Sequence, residues 1–114
     1  MEGAGLILAL VAGFFVLFLL VSAWAARELP DSGPVPTHFD IKGRPDGFGS
    51  RWITLSLMPV SYVLVNGLML AFGFNAGEPV DMNELVTAQL ILGATLLATH
   101  GFIMFLLLRW ARAQ

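Results

Sequence analysis

Three long apolar stretches, separated by two polar segments, set the pattern of this chain. Residues 5–26, 52–74 and 85–108 carry no Asp, Glu, Lys or Arg. At 1.5 Å per residue each run, wound as a helix, reaches across a hydrocarbon core of about 30 Å. All fourteen charged residues, eight acidic and six basic, fall outside the runs. That partition predicts an all-α fold: a three-helix transmembrane domain over 1–114, with helix 1 at about 5–26, helix 2 at about 52–74 and helix 3 at about 85–108. The connections are a loop over 27–51 and a shorter one over 75–84. A secretory signal peptide is the rival reading of the first run, because Ala23-Trp24-Ala25 has the form of a cleavage site. Glu2 stands where such a peptide carries Lys or Arg, and the run is long for its apolar core, so it is read as a span.

Each predicted helix carries a stripe. Gly5, Ala9 and Gly13 recur every fourth residue, the small-residue spacing that lets helix backbones approach closely in lipid. Ser56, Pro59, Tyr62, Asn66 and Gly73 fall on roughly one face of helix 2, and Gln89, Gly93, Leu96 and His100 share one stripe of helix 3. Polar groups turned toward lipid cost several kcal/mol, so these faces are expected to turn toward protein. Pro59 removes one backbone hydrogen bond and is expected to kink helix 2. Asp81-Met82-Asn83-Glu84 reads as a helix start, with a capping side chain and acidic residues at the positive end of the dipole. Trp52 and Trp110, the latter beside Arg109 and Arg112, suit the membrane interface.

Composition agrees. Hydrophobic residues make up 57% and charged residues 12%, against about 45–50% and about 25% in soluble domains. With no cysteine, disulfides, thiolate metal sites and cysteine nucleophiles are excluded. Six scattered Lys and Arg with a net charge of −2 argue against a nucleic-acid footprint. All six basic residues lie in the 27–51 loop or at the C-terminus, so the positive-inside rule places both in the cytoplasm, with the N-terminus outside. The expected location is the bacterial cytoplasmic (inner) membrane, as a multi-pass protein.

The loop over 27–51 concentrates what chemistry there is. It holds four of the six prolines and eight of the fourteen charges, and is too rich in Pro, Gly and Asp for a helix or a central strand. It is expected to be a structured loop, one that can re-enter the membrane. Pro45-Asp46-Gly47 reads as its turn: proline presets φ, Asp bonds nearby backbone, and Gly accepts positive φ.

Leu29-Pro30-Asp31, Val35-Pro36-Thr37-His38-Phe39-Asp40, Gly43, Pro45-Asp46-Gly47 and Ser50-Arg51 together resemble a bacterial membrane domain of unknown function. That domain occurs alone and at the N-terminus of SdpI-type immunity proteins, which protect a cell from its own secreted peptide toxin. The spacer between Pro30 and Pro36 is about two residues longer than in the family pattern. The resemblance implies a motif loop between two membrane helices and a protective or sensing role. Relatives often begin with lysines, which implies a loop on the outer side, opposite to the charge count.

The candidate site residues are His38, Phe39, Asp40, Gly43, Pro45, Asp46, Ser50 and Arg51 in the loop, and Tyr62, Asn66, Gln89 and His100 within the spans. His38, Asp40 and Asp46 can offer an imidazole and two carboxylates to a divalent metal; the alternative is a hydrogen-bonded turn in which the acids cap Gly-rich bends. No cofactor is otherwise expected. His100, an ionisable residue inside a span, is a functional candidate by default; alternatively it joins helices 2 and 3 through one hydrogen bond, with Tyr62 or Ser61 as partner. Arg44 and Arg51 can meet an anionic lipid headgroup or pair with Asp40 or Asp46. Tyr62 and Asn66 read as helix glue, and Ser50 has no base beside it. Gly43 and Gly47-Phe48-Gly49 lack the strand–turn–helix context of a phosphate loop. Three functions follow. The leading one is a non-catalytic accessory or interaction subunit of a larger membrane assembly or homo-oligomer, its partners being the bilayer and other transmembrane helices. The second is an immunity or sensing protein binding a peptide or lipid at the loop, and the third a metal-dependent membrane enzyme.

Overall fold

A computed structural model describes residues 2–30, 32–74 and 81–114. Its elements are α1 (Glu2–Glu28), β1 (Val35–Phe39), β2 (Pro45–Gly49), α2 (Arg51–Phe74) and α3 (Met82–Arg112). All three helices are long and apolar enough to cross a membrane, so the hydropathy pattern translates directly into the architecture. Each begins or ends a little beyond its uncharged run. The Asp81 carboxylate accepts hydrogen bonds from the Asn83 and Glu84 amides and starts α3 where the sequence predicts. The rest of the expected 75–84 loop, with Glu78, lies outside the described residues.

Strands β1 and β2 pair antiparallel, so the expected loop is a β-hairpin closing one end of the bundle. Its turn is not Pro45-Asp46-Gly47, which belongs to β2. The turn lies earlier, over Asp40–Gly43, for a reason visible in its chemistry. The Asp40 carboxylate accepts from the amides of Lys42 and Arg44, both at 2.9 Å. The Gly43 amide donates to the Asp40 carbonyl, and Gly43 takes φ +79°, a region where a Cβ is strained. Gly47 has no such φ. This is a short hairpin loop with glycine at its left-handed position.

Helix α1 packs against both α2 and α3. The core gathers at the hairpin end, where Ala25, Leu29, Val35, Leu55, Met104, Leu107 and Leu108 bury one another. Deeper in the bundle, a Cβ on Gly93 would lie 2.5 Å from the Phe14 ring, so this glycine admits the ring and brings α1 and α3 together. The stripe on α1 behaves differently. Gly5 and Gly13 face open space, with nothing within 4 Å of a Cβ placed on either, so the expected packing face is not filled by the described residues.

Pro59 is accommodated inside α2. Having no N–H, it cannot bond the carbonyl of Leu55, four residues earlier. That carbonyl is not orphaned: the Ser22 hydroxyl on α1 donates to it at 2.7 Å. In lipid, a neighbouring hydroxyl is one of the few ways to satisfy a backbone group freed by proline.

Candidate functional site: a cleft beneath the hairpin

The hairpin is held down at several points. The Thr54 hydroxyl of α2 donates to the Pro36 carbonyl at 2.6 Å in a buried contact. The Arg109 guanidinium at the end of α3 reaches the Gly43 carbonyl at 3.3 Å, and Phe48 meets Trp110 edge-on at 6.0 Å. Arg51 does not pair with Asp40 or Asp46, as one reading expected. Its guanidinium donates to the Ala26 and Pro30 carbonyls, at 2.6 and 3.1 Å. It thereby satisfies the C-terminal end of α1, where Pro30 stops the helix and the last carbonyls lack helical partners. Ser50 is the start of α2: its hydroxyl accepts from the Trp52 amide. Arg112 ties α3 to Glu28 of α1 at 3.1 Å.

Between the underside of the hairpin and the facing sides of α2 and α3 lies a cleft of about 250 Å³. The hairpin contributes Thr37, His38, Phe39 and Asp40; α2 contributes Thr54, Leu57 and Met58; α3 contributes His100, Phe102, Ile103 and Leu106. It therefore brings together loop and intramembrane candidates that the sequence placed separately. Its walls are mostly apolar, with polar groups at the hairpin rim and His100 at the deep end, about 13 Å along α3 from Arg109.

His38 and Asp46 face each other across the hairpin, Nδ1 to Oδ1 at 2.5 Å, with His38 largely exposed. Asp40 is not joined to them; beyond its two amides it has only Arg44, at 4.0 Å. Among the described residues no three His, Asp or Glu side chains converge on a position that holds a metal ion. Pro45 lies opposite Phe39 in the hairpin.

His100 is fully buried. Its partner is not Tyr62 or Ser61 but Ser22, with Nε2 and the hydroxyl oxygen 2.8 Å apart; Ser61 bonds the Leu57 carbonyl of its own helix. The hydroxyl has one proton, and it goes to Leu55, so Nε2 of the histidine is the donor to Ser22. Nδ1 then has no hydrogen-bond partner among the described residues. Ser22 on α1 thereby links His100 on α3 to the Leu55 carbonyl on α2, a clasp joining all three helices. Phe18 lies against both the His100 and Tyr62 rings, at 5.4 and 5.1 Å. Farther in, Asn66 and Gln89 are buried eleven residues from Leu55 and His100 respectively. Asn66 donates to the Tyr62 carbonyl. The Tyr62 hydroxyl, the Asn66 oxygen and both amide atoms of Gln89 have no partner among the described residues.

Ser22 and Thr54 carry much of this arrangement and were not singled out from the sequence. For Ser22 a signal existed: it is the only hydroxyl in the first uncharged run. The fold defines a class, a multi-pass membrane protein of three helices capped at one end by a hairpin. Residues 13–61, from the middle of α1 through the hairpin into α2, are similar to a domain of unknown function, DUF1648. No curated protein and no solved structure matches the chain.

Proposed function

We propose that this is a non-catalytic membrane module that receives an amphipathic ligand in the cleft beneath the hairpin. One observation carries the reading: a pocket of about 250 Å³ with apolar walls and a polar rim, formed where a motif-bearing hairpin meets two membrane helices. Small-molecule sites take this form, mostly apolar with a few polar groups that orient the ligand. The volume suits a single chain or side chain, since about 150 Å³ already admits a benzene ring. The resemblance of the hairpin sequence to the N-terminal part of SdpI-type immunity proteins supports a sensing or protective role for such binding. The charge count supports a cytoplasmic hairpin in a bacterial inner membrane. The test uses the photoreactive p-benzoylphenylalanine in place of Phe102, at the mouth of the cleft, and separately in place of Ile91, exposed elsewhere on α3. After irradiation of cells, intact mass should show one discrete adduct at position 102, whether a small molecule, a peptide or a single phospholipid class, and only heterogeneous lipid at 91. The same products at both positions sink the reading.

A second reading, an accessory subunit docking another transmembrane helix, is favoured by the α1 face. Gly5 and Gly13 present open space there, and a shallow concavity runs along Ala9, Gly13 and Leu17.

A further inference from the structure

The tip of the hairpin carries Lys42 and Arg44 on either side of Gly43, whose carbonyl Arg109 of α3 reaches. Lys42 is exposed and has no ion-pair partner among the described residues. Arg44 has, among the described residues, the Asp40 carboxylate alone as ion-pair partner, at 4.0 Å, and is two-thirds exposed. Arg109 comes from α3 and, among the described residues, bonds the Gly43 carbonyl alone. Its guanidinium and the Leu106 side chain both approach Gly43, at 3.2 and 3.3 Å from a Cβ placed there. Leu106 is also a cleft wall, so the cation-bearing tip and the apolar space share a boundary. The acids nearby are engaged: Asp40 by two backbone amides and Arg44, Asp46 by His38. At its mouth the cleft is bordered by Leu57 and Phe102, which are about half exposed on the outer faces of α2 and α3. Both helices are long and apolar enough to cross a membrane.

We infer that the cleft is a site for an anionic phospholipid, with one acyl chain between α2 and α3 beneath the hairpin and the phosphate against Lys42, Arg44 and Arg109. This rests on the binding role proposed above and names the ligand class. Charge complementarity selects the occupant. Lys42, Arg44 and Arg109 outnumber the two nearby carboxylates, Asp40 and Asp46, while the space below has apolar walls and admits one chain. A basic cluster beside membrane helices, at headgroup level, attracts anionic lipid in this way.

The full-length protein, purified in mild detergent, would be supplied with phosphatidylglycerol or phosphatidylcholine and examined by native mass spectrometry. One phosphatidylglycerol should be retained per protomer, in clear preference to phosphatidylcholine. The double variant Lys42→Gln/Arg44→Gln alters exposed side chains only. It should weaken phosphatidylglycerol retention by about five-fold per cation, roughly 25-fold together, and leave phosphatidylcholine unchanged. Ile103→Trp, which fills the cleft, should lower retention of both. Equal retention of the two lipids, abolished by Ile103→Trp, would overturn the anionic assignment and leave the cleft's binding role standing. Retention that ignores both variants would overturn the site itself. A peptide adduct at position 102 with no retained phospholipid would show a different occupant and overturn the inference alone.

Discussion

Ser22 has one proton and two lone pairs, and the structure uses both functions. Pro59 strips the Leu55 carbonyl of its helical partner; Ser22 restores one and in turn accepts from His100. Ser22→Ala should therefore cost about 1–2 kcal/mol, more than a lone hydroxyl facing lipid would. Pro59→Ala returns an N–H that can bond Leu55, so in that background Ser22→Ala should cost less. The coupling expected in a double-mutant cycle is about 1 kcal/mol, read from unfolding in detergent; strict additivity would dissolve the proposed link. At this scale the sequence was half legible. His100 announced itself as an ionisable residue in a span, and Pro59 as a lost hydrogen bond. Their common partner did not, because a serine in an apolar run has no period or spacing to mark which helix it will meet. Helix counting put Tyr62 near the depth of His100, and Tyr62 does pack beside it through Phe18. Depth alone leaves rotation about the helix axis open, and rotation decided the hydrogen bond.

Among the elements, the helices were legible to within a few residues, and the hairpin was not. Proline and glycine argue against a central strand, but a two-stranded hairpin has only edges, where proline is tolerated. Pro36 and Pro45 also blunt those edges against pairing with other chains. The turn was misplaced because Pro-Asp-Gly is a strong local signal. Asp40 and Gly43, three apart, offered a better one once Arg109 and Thr54 fixed the hairpin from outside. The two glycines separate these positions experimentally. Gly43→Ala places a Cβ in a left-handed conformation and against Arg109, and should destabilise by about 1–2 kcal/mol. A Cβ at Gly47 meets only ordinary contacts at 3.6 Å, so Gly47→Ala should be near neutral. Thermal unfolding midpoints in detergent would show it, and the reverse order would return the turn to Pro45-Asp46-Gly47.

For the whole molecule, the distribution of charge bears on the orientation that hydropathy leaves open. The hairpin, the end of α1 and the end of α3 share one end of the bundle, and every Lys and Arg is there. The basic residues are partly structural, since Arg51 caps α1 and Arg112 pairs with Glu28, yet the rule counts them regardless of partner. The absence of cysteine makes the orientation simple to read. A single Lys42→Cys should resist a membrane-impermeant maleimide in spheroplasts and react after permeabilisation; immediate labelling from outside would reverse the topology.

The length of α3 has a consequence of its own. Its 31 residues extend to about 46 Å, well beyond a hydrocarbon thickness of about 30 Å. Such a helix must tilt or let its ends protrude, and the balance shifts with the thickness of the host bilayer. Because Arg109 holds the Gly43 carbonyl and Trp110 holds Phe48, any change of tilt carries the hairpin with it. A thicker membrane would draw α3 upright and lift that end along the normal; a thinner one would lean it over. Hydrophobic mismatch would thus be transmitted through one rigid rod to the group of residues at its end, and the lipid surroundings would set the height at which the hairpin meets water.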